Sequence, residues 1–129
     1  MIKMWFYAGV ILKEDNNVEE DVLNLIEPYS EYTAKRNQEL KLIPLWDRYE
    51  VDSVYTVEFV VNQQKFPFIL ITPDGTWRDY EDYCLHVEDI DDESIWFAKV
   101  RGILAQHTDH FFAICRLHEP QEDFFETMD

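Results

Sequence analysis

The sequence predicts an α+β domain of the ferredoxin-like, split βαβ type: an antiparallel sheet with two helices on one face. Three observations carry this expectation. Apolar runs and apolar periodicities alternate as strand, helix, strand, strand, helix, strand. Val18, Val22, Leu25 and Ile26 recur at i, i+4, i+7 and i+8, and Trp96, Val100, Ile103 and Leu104 repeat that spacing. A chain of 129 residues with 47% hydrophobic content has the length of one domain and enough apolar material for one core.

The first strand is Met4 to Lys13, MWFYAGVILK, whose nearly continuous apolar and aromatic run suits a strand covered on both faces. Asn16 or Asn17 is placed to cap the first helix, and Glu19, Glu20 and Asp21 favour its first turn through the helix dipole. Pro28 stops it. Residues 29–50 have no steady period and read as a long connection, with Lys35, Arg36, Lys41 and Arg48 making it the least acidic part of the chain. Val54 to Val61 and Phe66 to Thr72 are β-rich runs joined by Asn62 to Lys65, and Pro67 belongs near a strand start or on an edge.

Pro73, Asp74 and Gly75 then form a turn. Proline presets φ, aspartate bonds its own backbone, and glycine accepts positive φ without steric cost. The chain reverses there, so Thr76 to Tyr80 returns as a short strand. Asp91 or Asp92 caps the second helix, and His110 to Leu117 is the last strand. The domain is expected over residues 1–118, followed by an acidic tail over residues 119–129.

Charge narrows the function. Lys and Arg total 11 against 27 Asp and Glu, a formal net charge of −16. Such a field repels phosphate polymers, so direct nucleic-acid binding is not expected, and it steers the chain toward a basic protein surface, such as the one a nucleic-acid-binding protein uses. The two cysteines, Cys84 and Cys115, are far apart without CxxC spacing, and the N-terminal apolar run is too short for a signal or a membrane span. A cytoplasmic chain with reduced thiols and no membrane partner is the expectation.

Signatures of chemistry are sparse. Neither GxGxxG nor GxxxxGK[ST] nor GxSxG occurs in a chain with three glycines, so no nucleotide cofactor and no nucleophile elbow is expected. His107, Asp109, His110 and His118 are metal-ligand types, but on a strand His110 and His118 would stand about 26 Å apart, at roughly 3.3 Å per residue. Glu88, Asp89, Asp91, Asp92 and Glu93 lack the glycine and the terminal glutamate of a calcium loop. No metal, no cofactor and no catalytic residue is therefore assigned, and catalysis is the less favoured class.

The aromatic residues sort by neighbourhood. Trp5, Phe6, Tyr7, Tyr55, Phe59, Phe66, Phe68, Phe111 and Phe112 lie in strand runs and read mainly as core. Trp77, Tyr80 and Tyr83 stand among Asp79, Glu81 and Asp82 outside any core period. With Glu88, Asp89, Asp91 and Asp92 they form the expected partner-binding surface, because Trp and Tyr anchor interfaces. An alternative ligand site would set Trp46, Asp47, Arg48 and Tyr49 across a cleft from Trp77 and Arg78.

Several short motifs carry a family likeness: Glu27-Pro28-Tyr29-Ser30-Glu31, Trp46-Asp47-Arg48-Tyr49, Thr72-Pro73-Asp74-Gly75-Thr76-Trp77, and the ending around Trp96, Leu104, Asp109 and His118. In these the chain resembles a loose group of small, mostly uncharacterised phage and prokaryotic proteins, over about residues 21–118. That group's Gly-Gly-Arg-Trp and Asp-Cys-His signatures are replaced here by WDRYEVDSVYT and AICRLH. The resemblance implies a phage or prokaryotic setting and an α+β domain, and no activity. The expected function is a non-catalytic acidic interaction protein, an inhibitor or DNA mimic. Carboxylates on alternate strand residues stand about 6.6 Å apart, near the spacing of successive phosphates. The alternatives are a small enzyme or ligand-binding domain, and a homodimer made by pairing exposed strand edges.

Overall fold

The computed structural model describes residues 5–30, 45–80 and 92–119. Five strands form one sheet: β1 (Trp5–Leu12), β2 (Arg48–Thr56), β3 (Ile69–Ile71), β4 (Trp77–Asp79) and β5 (Phe111–His118), in the order β2-β5-β1-β3-β4. The described helices are α1 (Val18–Ile26), α2 (Val57–Val60) and α3 (Asp92–Ala105), with a 3-10 turn at Glu27–Tyr29.

The sheet is mixed. β5 pairs antiparallel with both β1 and β2, and β4 pairs antiparallel with β3, but β1 and β3 are parallel neighbours. The ferredoxin-like order expected from the succession of elements is therefore not observed. An antiparallel strand, β5, does lie between β1 and β2, but the sheet was expected to be antiparallel throughout, whereas here β3 bonds β1 as a parallel neighbour through Gly9 and Leu70, and Val10 and Ile71.

The helices are also not on one face. Ala8, Val10 and Leu12 of β1 pack with Ala113, Cys115 and Leu117 of β5, Val22 and Ile26 of α1, and Trp46. Ile11 of β1, Leu70 and Phe112 pack with Val57 and Val60 of α2 and Trp96, Val100 and Leu104 of α3. Successive strand residues point to opposite faces, so α1 covers one face while α2 and α3 cover the other. The continuous burial of β1 from Ala8 to Leu12 is the direct consequence.

Local chemistry explains most boundaries. The expected strand from Val54 to Val61 splits after Thr56, whose hydroxyl accepts the Phe59 N–H at 3.2 Å as a helix cap, so Val57–Val60 is helical. The strand expected from Phe66 shortens to Ile69–Ile71. The turn behaves as its residues dictate: Gly75 has φ of 84°, its N–H donates to Thr72 O at 2.8 Å, and the Thr76 N–H donates to the Asp74 carboxylate at 3.2 Å. Trp77 returns opposite Ile71 in the expected short strand. No described helix is long and apolar enough to cross a membrane.

Candidate functional site

Among the described residues the α2–α3 face of the sheet is covered at one end only. Past Ile11 and Phe112, β1 presents Tyr7 and Trp5, β5 presents Arg116 and His118, and β2 presents Glu50 and Arg48 on that same face. Register sets them in two rows. Trp5, His118 and Arg48 lie opposite one another across three strands, and Tyr7, Arg116 and Glu50 form the next row. Trp5 is 38% and Tyr7 53% exposed, which corrects their expected place in the core.

At the centre is a buried, hydrogen-bonded histidine–aspartate couple. His118 Nδ1 lies 2.8 Å from Asp47 Oδ1, and both side chains are only 8% exposed. The adjacent backbone locks the arrangement, the Asp47 N–H donating to His118 O at 3.1 Å. Nδ1–H donates to the carboxylate, and Nε2 is the ring nitrogen nearer Arg48. Arg48 Nη2 lies 3.2 Å from Nε2 and 3.4 Å from Nδ1, so one guanidinium nitrogen rests over the imidazole rather than in its plane. Arg48 Nε is 3.8 Å from the same Asp47 carboxylate.

Trp5 completes the surface. Its ring meets the His118 ring edge-on at 5.1 Å, and the guanidinium carbons of Arg48 and Arg116 lie 5.8 and 5.5 Å from its centroid. Arg116 pairs with Glu50 across β5 and β2. Cations over an indole gain from the ring quadrupole. The patch thus combines aromatic area with two guanidinium groups, the residue types that dominate interface energetics.

The other candidate reactive side chains stand apart from this surface. Cys115 sits on β5 but faces the α1 side, and burial pushes its thiol up to about 12, with Asp52 adding repulsion, so it is not a thiolate nucleophile. His107 and His110 stand edge to edge at 5.0 Å, with Asp109 2.6 Å from His110 Nδ1, and His107 Nδ1 pairs with Ile103 O at 2.9 Å. Among the described residues no group of three His, Cys, Asp or Glu side chains could hold a metal ion.

The residues singled out in the sequence are dispersed. Trp46 is a core residue whose Nε1–H donates to Ile26 O at 2.7 Å, and Tyr49 packs edge-on against it at 5.5 Å. Burial raises the Tyr49 phenol pKa, with Glu19 contributing. Asp47 and Arg48 turn instead toward His118, so the Trp46 to Tyr49 segment divides between the two sides of the sheet. Trp77 is half-buried on the α1 side, 5.0 Å from the Tyr29 ring, whose hydroxyl donates to Gly75 O at 2.7 Å. Trp46 and Trp77 therefore both rest against the end of α1 and its 3-10 turn, and Arg78 lies opposite Leu70 near the far edge of the sheet from Arg48.

Of the expected partner surface, Tyr80 is half-buried, stacked on Phe68 at 4.7 Å and edge-on to Trp96 at 6.5 Å, while Asp79 is half-buried at the end of β4. Asp92 opens α3. Glu81, Asp82, Tyr83, Glu88, Asp89 and Asp91 lie outside the described residues. Tyr55, Phe59 and Phe68, expected in the core, are exposed, and of that set Phe66 and Phe112 are buried. No protein-family model, no curated protein and no solved structure matches the chain.

Proposed function

We propose that the chain is a non-catalytic acidic interaction protein of a phage or prokaryotic mobile element. It would occupy a basic surface on a partner, such as a nucleic-acid-binding protein, and act as an inhibitor or DNA mimic. The observation that carries this reading is the outer surface of α1 and its approach. Glu14, Asp15, Glu19, Glu20 and Glu27 are all exposed there, and Lys13 is the only lysine or arginine between Trp5 and Ser30.

A surface of one sign, on a chain of net charge −16, raises the encounter rate with a cationic partner and excludes anionic competitors. The acids of α1 cluster in its first turn, where Glu19 and Glu20 are exposed, and Glu27 is exposed at its C-terminal end, so binding there needs no rearrangement of the fold. The test is titration against basic nucleic-acid-binding proteins of the native host across a salt series. Affinity is expected to fall steeply between low and physiological salt, and to drop further when Glu19, Glu20 and Glu27 are changed together to glutamine. Binding indifferent to salt refutes the reading.

A second reading has its own observation, the buried Asp47–His118 couple under Arg48, which resembles a ligand-orienting site more than a solvated ion pair. In that case a small acidic or aromatic ligand docks on Trp5 between Arg48 and Arg116. Thermal-shift screening of such compounds against the wild type and Trp5→Ala separates the two readings. Stabilisation lost with Trp5 supports a ligand site.

A further inference from the structure

We propose that the outer edge of β2 accepts an extended, cationic segment of a partner protein as a sixth strand. This rests on the reading that the partner is basic, and adds how it is held. β2 spans nine residues and is an outermost strand, whereas the opposite edge strand, β4, spans three. Among the described residues the edge is closed only at its start, where the Leu45 N–H donates to Tyr29 O at 2.8 Å and Ser30 bridges Trp46. From Arg48 to Thr56 every described strand partner is on β5. A long edge with one unpaired row of amides and carbonyls is a template for strand addition.

The side chains along this edge select for positive charge. Arg48 and Glu50 are matched within the chain by Asp47 and Arg116. Asp52 is the extra residue of the bulge between Val51 and Ser53, opposite no residue of β5, and is exposed; Glu58, just beyond Thr56, is exposed as well. Neither carboxylate has a cationic partner among the described residues. Close to them in sequence Tyr55 and Phe59 stack at 5.6 Å with both rings exposed, a surface over which lysine or arginine gains cation–π energy.

A second copy of this chain fits poorly. Antiparallel self-pairing in the register of full overlap sets Asp52 against Asp52, and shifting it two residues toward the strand start sets Glu50 against Asp52. Like charges directly opposite are destabilising. A strand with lysine or arginine at alternate positions places its cations beside Asp52 and Glu58 instead.

The probe is a fluorescein-labelled nonapeptide of alternating Lys and Val, compared with the same peptide N-methylated at alternate residues and with a Glu-Val counterpart. Fluorescence polarisation is expected to show the Lys-Val peptide binding at least about tenfold tighter than its N-methylated form, the loss of a few net hydrogen bonds. The Glu-Val peptide should not bind. Amide exchange should slow within Arg48–Thr56, and Asp52→Asn with Glu58→Gln should weaken binding severalfold without shifting Tm. Equal binding of the two cationic peptides, or protection confined to other strands, overturns strand addition while leaving the basic-partner reading intact. Concentration-dependent dimerisation that protects the same amides without peptide assigns the edge to a second copy and also overturns it. Failure of every cationic probe to bind counts against both.

Discussion

Gly9 is the position at which one added methyl group tests the packing of the whole sheet. It lies in the middle of β1, between Leu70 of β3 and Ile114 of β5, and its missing side chain faces the ring of Phe112. A Cβ built there overlaps Phe112 Cζ and approaches Cε2 at 2.7 Å and Cε1 at 2.8 Å. Phe112 is fully buried beneath α2 and α3, so its ring has no free space into which to turn. Overpacking of this kind costs about 1–3 kcal/mol. Replacing a strand glycine returns about 0.4–1 kcal/mol by restricting the unfolded chain. Gly9→Ala should therefore destabilise by roughly 0.5–2.5 kcal/mol, a fall in Tm of about 3–5 °C per kcal/mol at this size. Urea unfolding of Gly9→Ala, Phe112→Leu and the double variant decides the cause. In the Phe112→Leu background the ring is gone, so Gly9→Ala should become neutral or mildly stabilising. Equal costs in both backgrounds would refute the steric account, as would a Gly9→Ala single variant indistinguishable from wild type.

Three further outcomes follow from side-chain environments. Asp47→Ala should destabilise by about 1–3 kcal/mol in urea, because it strands the buried His118 Nδ1 donor, while Asp47→Asn, which keeps an acceptor oxygen, should cost less. The Thr72 hydroxyl and the Thr76 backbone hold the Asp74 carboxyl below its ordinary pKa. Because the folded value is depressed, the turn's contribution is complete above the ordinary aspartate pKa and is lost as pH falls through the lower folded value. An NMR titration should show the Asp74 pKa moving up in Thr72→Val, and an unchanged midpoint would reject the hydroxyl's role. The Cys115 thiol, pushed up to about 12 by burial, should resist alkylation at pH 8 in a Cys84→Ser background and react fully once the chain is unfolded in urea. Rapid native-state labelling would mean that the β5 core opens readily.

The helices and long strands were legible because their signals are local. Val22, Ile26, Trp96, Val100 and Leu104 are buried as their spacing requires, and the Pro73-Asp74-Gly75 turn reverses the chain into β4. Sheet order was not legible, because the choice between pairing β3 beside β1 and inserting a hairpin strand there depends on contacts some 60 residues apart. One clue did bear on it. A β1 apolar enough to be covered on both faces is inconsistent with two helices on a single face, since the other face would then meet water. Taken seriously, the run from Ala8 to Leu12 required helical cover on both sides.

The Asp47–His118 surface was hidden for a related reason. Asp47 and His118 are 71 residues apart and meet only because β2 and β5 pair, so neither residue signals the other in sequence. Trp5 and Tyr7 look like core when counted as aromatic residues in a strand, but their period-two alternation matches that of Arg116 and His118, the only strongly polar side chains of β5 before its end. Polar residues recurring every second position at one end of a strand that is otherwise apolar mean that the covering layer stops short there. Among the described residues it stops where the contacts of α2 and α3 end near Ile11 and Phe112, and Trp5 and Tyr7 beyond that line are exposed.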